Sequence, residues 1–194
     1  MNKIYTVVGA RGQGKTPFIV GGDEECGLAK IYLNKGMSVL TLDEIDHVKY
    51  RHVPIMHPKD YSKLSEKPVF VRTLAAMQYL PGLIGEIGEK QLVWNTLIVC
   101  EDSKKYIKTV FGNEEWALIG NSKQQNCDLV FMYWNWGIIP PDILRNTNYF
   151  VIFKTSDGPE CRKSYLHGCF DKCQAAHDYV TAGKKRYVMI DTGI

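Results

Sequence analysis

The chain has 194 residues, 45% hydrophobic and 23% charged, with a formal net charge of +3. This is the ordinary composition of one globular domain, spanning 1–194, and long enough to bury a full α/β core. The mild charge excess does not establish a nucleic-acid partner, and no apolar stretch approaches the ~18–20 residues of a membrane span.

Ile4-Tyr5-Thr6-Val7-Val8 is a β-branched and aromatic run that predicts a buried strand. It leads directly into Gly9-Ala10-Arg11-Gly12-Gln13-Gly14-Lys15-Thr16, a complete match to G-x-x-x-x-G-K-[ST], the phosphate-binding P-loop. Glycines let the backbone approach closely, so that successive N–H groups line an anion-binding concavity. In that pattern Lys15 reaches the β- and γ-phosphates and Thr16 holds Mg²⁺. Pro17 is tolerated, because first-turn N–H groups lack intrahelical partners. Gly9 to Pro17 is therefore the candidate nucleotide-binding segment. The alternative, a glycine-rich turn that matches by chance, is disfavoured by the strand in front.

The later elements alternate. Gly21–Leu33 predicts a continuation of the P-loop helix, loosened by Gly21-Gly22 and Gly27. Met37–Leu42 predicts a strand ending at Asp43-Glu44, and His47–Lys67, rich in His, Pro and Lys, an irregular excursion. Val69–Arg72 predicts a third strand. Thr73–Glu89 reads as helical at first, then broken at Pro81-Gly82 and Gly85. Thr96–Cys100, Asp128–Tyr133 and Tyr149–Phe153 predict further strands, Asp171–Ala182 a late helix and Tyr187–Ile190 a final strand. The pattern predicts a three-layer α/β P-loop NTPase domain with a mainly parallel central sheet.

Met1-Asn2-Lys3 precedes the first strand with no visible signal peptide. Of six cysteines, Cys100 and Cys127 lie in or beside apolar runs. For an NTP-binding chain this predicts reduced thiols in a cytoplasmic setting, such as the host cytoplasm of a phage or mobile element.

Chemistry concentrates at two further places. The Leu97–Cys100 run ends in Glu101-Asp102, as a Walker B element requires. One carboxylate then belongs to the Mg²⁺ shell and the next polarises the attacking water. Most such elements read Asp then Glu; by position Glu101 takes the metal role and Asp102, with a shorter arm, the water role. The plainer reading is a pair of acids capping a following helix. At the tip of the Phe131–Tyr133 strand, Asn135 is the candidate γ-phosphate sensor, or else a turn asparagine. His167, Cys169, Cys173 and His177 lie close together at spacings that admit a metal site, although they match no standard ligand pattern. His47, His52 and His57 read as solvated loop histidines, and Lys184-Lys185-Arg186 as a helix-end cation cluster.

Taken in order, three features resemble the FtsK/HerA group of P-loop ATPases: Gly9–Thr16, the Leu97–Asp102 strand with its acids, and Asn135–Asn146 with its proline, short helix and Arg-x-Asn-like end. Asn121–Asp128 is similar to the group's polar helix end before the sensor strand. Within the group the chain most resembles the zonula occludens toxin-like phage-assembly ATPases and viral genome-packaging ATPases. Its departures are the reversed acid pair and Asn135-Trp136 where Thr-Gln is usual. The resemblance implies ATP and Mg²⁺ as cofactors, a ring-forming homo-oligomer, DNA as a translocated polymer and membrane-associated assembly partners. It also implies an arginine supplied by a neighbouring subunit, for which Arg145 and Arg11 are the candidates. Toxin-like relatives usually carry a membrane span after the ATPase domain, so this chain is expected to be a soluble relative or a fragment.

The leading expectation is Mg-dependent ATP hydrolysis coupled to DNA translocation, packaging or export. The alternative is a nucleotide-binding switch or scaffold with little turnover. A small-molecule kinase would call for an arginine-rich lid, and no arginine cluster is evident.

Overall fold

A computed structural model describes residues 2–21, 26–44 and 46–193. Seven strands form one sheet: β1 (Ile4–Val8), β2 (Ser38–Asp43), β3 (Phe70–Leu74), β4 (Thr96–Cys100), β5 (Asp128–Tyr133), β6 (Tyr149–Phe153) and β7 (Tyr187–Asp191). Their spatial order is β3-β2-β4-β5-β1-β6-β7. The first six run parallel, and β7 joins the edge antiparallel to β6. The apolar runs at β1, β4 and β5 are buried along their whole length, as expected of parallel strands covered on both faces.

Two helical layers supply that cover. On one face α1 (Lys15–Val20) and α2 (Leu28–Asn34) place Ile19, Leu28 and Tyr32 against Val7, Val99 and Val130. On the other, α3 (Leu80–Glu89), α4 (Asn113–Ser122), α5 (Pro141–Asn146) and α6 (Phe170–Thr181) place Ile84, Leu118, Ile143 and Cys173 in a core with Val8, Ile98, Phe131 and Ile152. The three-layer, mainly parallel architecture is therefore as expected.

Three local readings need correction. The P-loop helix does not run on to Leu33: α1 ends at Gly21, whose φ of 94° leaves the helical region, and α2 is a separate element. Positions 22–25 lie outside the described residues. Thr73 and Leu74 belong to β3 rather than to a helix. The segment read as broken at Pro81, Gly82 and Gly85 is the continuous helix α3. Pro81 stands in its first turn, where the missing N–H costs nothing. Gly85 and Gly88 are there for packing: a Cβ on Gly88 would collide with the α4 backbone at Leu118.

The excursion after β2 is ordered as two 3₁₀ segments, Val48–Tyr50 and Pro58–Ser65. It lies along β3, with Met56 N–H donating to Arg72 O at 2.8 Å and Arg72 N–H donating to Pro54 O at 2.9 Å. It thereby covers an otherwise open edge and buries Tyr61 and Leu64. No helix among the described residues is long and apolar enough to cross a membrane.

The close α3–α4 crossing gives a direct test. Gly88→Ala should push the helices apart and destabilise the fold by about 1–3 kcal/mol, the usual cost of overpacking. Urea or thermal unfolding would show this as a lowered midpoint, and an unchanged midpoint would contradict the packing described.

Candidate nucleotide-binding site

The P-loop leaves the carboxyl end of β1 between two parallel neighbours. Gly9 N–H donates to Tyr133 O of β5 at 3.1 Å, and Ala10 N–H donates to Lys154 O, just past β6, at 2.9 Å. The loop is thus fixed on both sides before it turns. Gly14 has φ of 100°, a left-handed conformation that disfavours any side chain. Lys15 follows as the first residue of α1 and is buried. Its ammonium donates to Gly9 O at 2.5 Å and to Ala10 O at 3.2 Å, so its stem folds back over the loop. Burial lowers its pKa, and the charges of Glu101 and Asp102 oppose that shift.

Glu101 is delivered by β4, two strands from β1. Its Oε1 accepts from Tyr50 OH at 2.6 Å and from Thr16 Oγ1 at 3.2 Å. Burial pushes its carboxyl up to about 7. The charge on Asp102 adds to that shift, and the bonds from Tyr50 and Thr16 work against it. Asp102 turns the other way. Its backbone is left-handed, with φ 46° and ψ 44°, a region tolerated by Asp and Asn and by few other side chains. That constraint explains why a short acid stands second in the pair. Trp134 Nε1 donates to Asp102 Oδ1 at 2.8 Å, and Lys105 Nζ lies 3.5 Å from Oδ2 and 2.6 Å from Glu44 Oε2. The guanidinium of Arg11 stacks 4.5 Å above the Trp134 ring, a cation–π contact linking the loop to the acid.

These groups enclose a cavity of about 450 Å³. Arg11, Gly12, Gly14, Lys15, Thr16 and Pro17 line it from the loop, and Glu101 and Asp102 from β4. Gly9 and Ala10 serve through the carbonyls that hold Lys15, and Gln13 through its carbonyl, which accepts from Arg186 Nε at 3.4 Å.

Asn135 and Arg145 lie elsewhere. Asn135 does stand at the tip of β5, beside the P-loop strand, but its Oδ1 accepts from Ile138 N–H at 3.2 Å and caps a 3₁₀ turn. It does not line the cavity. Arg145, in the last turn of α5, pairs with Asp142 at 3.3 Å and stacks 5.2 Å over Tyr165, away from the cavity of its own chain. Cys169 and Cys173 are buried against each other, and the hydrogen bond between them draws the Cys169 thiol down to about 7. His177 Nε2 lies 3.1 Å from Thr155 Oγ1. No group of three metal-ligating side chains gathers among the described residues, and the side chain of His167 lies outside them. His47, which also lines the cavity, and His57 accept through Nδ1 from Lys49 N–H and Lys59 N–H, each at 3.2 Å, as caps of the 3₁₀ segments.

Sequence reasoning missed Tyr50, Trp134 and Arg186. Tyr50 lies in the excursion read as irregular, Trp134 beside the residue chosen as sensor, and Arg186 in the cluster read as a helix-end cap. Only Trp134, adjacent to a strand tip, carried a positional signal.

Glu101 gives a pH test. Its folded-state value of about 7 lies above the ordinary 4.5, so between those values the folded chain holds a proton that the unfolded chain has released. Stability then falls as pH rises through that window. Glu101→Gln accepts the same two hydrogen bonds without the charge. It should melt above the wild type at pH 8, with the difference shrinking toward pH 4. A difference independent of pH would show that Glu101 ionises normally.

No protein-family model matches the chain, and no curated protein is similar to it in sequence. Solved structures do match its fold. The genome packaging NTPase B204 of Sulfolobus turreted icosahedral virus 2, in complex with ATP-gammaS, superposes with a TM-score of 0.74 at 14% identity, covering 99% of this chain and 93% of that one. The same protein in complex with AMP gives 0.69 at 15% identity, covering 99% and 94%. B204 described as the DNA-packaging ATPase from Sulfolobus turreted icosahedral virus gives 0.65 at 14%, covering 100% and 95%. At such identities the likeness establishes the fold: a mostly parallel seven-stranded sheet with flanking helices, matching those P-loop NTPase structures over nearly their whole length.

Proposed function

We propose that the chain is a P-loop ATPase of the FtsK/HerA group whose hydrolysis of ATP drives DNA translocation, packaging or the assembly and export of a phage or mobile element. The observation that carries the reading is the convergence on one cavity of Lys15 and Thr16 from the loop with Glu101 and Asp102 from β4. Support from outside the chain is the likeness to packaging NTPases whose structures hold ATP-gammaS and AMP.

The residues fit the chemistry. The loop backbone receives the phosphates, and Lys15, already desolvated beside them, supplies a fixed positive charge where negative charge builds up. The Thr16 hydroxyl and the Glu101 carboxylate, 3.2 Å apart, are the hard oxygen pair that suits Mg²⁺. A cation held by these two oxygens would offset phosphate charge. Asp102 is the group that orients and polarises the attacking water. Ring assembly follows from the same reading, since Arg145 faces away from its own cavity and is half exposed at 48%, available to a neighbouring subunit. Membership nearest the zonula occludens toxin-like ATPases, a cytoplasmic location and membrane-associated partners belong to this proposal as well.

Two observations favour a second reading, a nucleotide-dependent switch with little turnover. Asp102 is held between Trp134 and Lys105, and Asn135 is committed to its cap. Turnover assays separate the readings. Lys15→Ala should abolish tight Mg-ATP binding. Asp102→Asn, which keeps the left-handed backbone, should slow hydrolysis by about 10²–10⁴ while ATP still binds. Wild-type turnover no faster than that of Asp102→Asn would support the switch. Unchanged affinity and rate in Lys15→Ala would overturn the P-loop reading.

Shared sites give a further test. Specific activity should rise with protein concentration. Arg145→Ala should lower it with little loss of nucleotide affinity, because a trans arginine acts on charge that develops in the transition state. Mixing Arg145→Ala with Lys15→Ala subunits should restore part of the turnover. A rate per subunit that is flat with concentration, with no rescue on mixing, would indicate a monomeric site.

A further inference from the structure

The residue just before the final strand brings to the P-loop a further cation that the proposed chemistry has not used. Tyr187 opens β7 opposite Phe153 of β6. Its ring packs 5.1 Å from Phe153 and 5.3 Å, edge-on, from Phe18 of α1. This aromatic cluster fastens the start of β7 behind the helix that the P-loop opens. Arg186, one residue earlier, reaches over the loop. Its Nε donates to Gln13 O at 3.4 Å, and its guanidinium occupies the space that a side chain on Gly14 would take. It lines the same cavity as Lys15 and Glu101.

Sheet order sets which part of a ligand this cation meets. β4, with Glu101 and Asp102, lies two strands to one side of β1, and β7 lies two strands to the other. The two acids and Arg186 therefore approach Lys15 from opposite flanks. If the acids attend the terminal phosphate and its cation, the opposite flank faces the phosphates nearer the nucleoside. A guanidinium there suits a diphosphate, which it can grip through two oxygens at once.

Resting on the nucleotide-binding reading above, we infer that Arg186 is a same-subunit clamp for the α- and β-phosphates of a nucleoside di- or triphosphate. Because ADP and ATP share that part, the clamp holds both. It is distinct in kind from a trans arginine, which acts on the transition state.

The test titrates ADP and ATP, each with Mg²⁺, into the full chain and into Arg186→Ala, Arg186→Gln and Arg186→Lys, with thermal melts confirming that each folds. Arg186→Gln keeps a donor for the Gln13 carbonyl and removes the charge, so it separates phosphate binding from support of the loop. Arg186→Ala and Arg186→Gln should each bind both nucleotides about tenfold to a hundredfold more weakly, the usual effect of a lost charge-assisted hydrogen bond, with the ATP-to-ADP ratio unchanged. Arg186→Lys should recover part of the loss. Wild-type affinity in Arg186→Gln, or a loss confined to ATP, would overturn the inference. If Lys15→Ala alone abolishes binding in the same series, the P-loop reading survives that failure. A wild-type chain that binds neither nucleotide overturns both.

Discussion

Two backbone hydrogen bonds, from Gly9 to β5 and from Ala10 to the end of β6, hold the constraint on which the rest of the structure depends. They fix a loop with no regular structure of its own between two strands buried on both faces. With the loop's entrance immobilised, a glycine in the left-handed region and a lysine folded back onto carbonyls become a defined surface instead of a flexible hairpin. An anion-binding concavity is worth most when its donors need not reorganise.

The carboxylate opposite is built on the same logic and carries a cost. Glu101 sits where burial resists its charge, and two hydroxyls, Tyr50 and Thr16, share its one oxygen Oε1. Tyr50 comes from the excursion that also shields the β3 edge, so a segment without regular strands both protects the sheet and tunes the site. Across the cavity, the Arg11–Trp134–Asp102 contacts join the loop, the β5 tip and the second acid.

The cavity draws its charges from several strand connections. Glu101 and Asp102, with Lys105 beside them, stand on one flank of Lys15 and Arg186 on the other. Parallel strands make this inexpensive, because all their carboxyl ends open on one edge of the sheet. β7 runs the opposite way, so it presents its beginning to that edge, and this is how a residue from the late chain reaches the P-loop.

What the sequence by itself determined was local. The placement of Gly9–Thr16 as a loop that opens a helix after β1 was legible because an apolar run leads straight into glycines, and that of Glu101-Asp102 at the end of β4 because an apolar strand ends there. The alternation of strands and helices carried the layer architecture for the same reason. Elsewhere local signals misled. Pro81 and Gly85 read as breakers, yet one fits a first turn and the other lies at a close helix crossing, and only the partner helix α4 shows which. Asn135 was placed correctly along the chain, but its side-chain bond to Ile138 was invisible without coordinates. Tyr50, Trp134 and Arg186 join the site from 34 to 170 residues beyond Thr16. No spacing rule connects residues so far apart, so strand order and sheet direction decided their place.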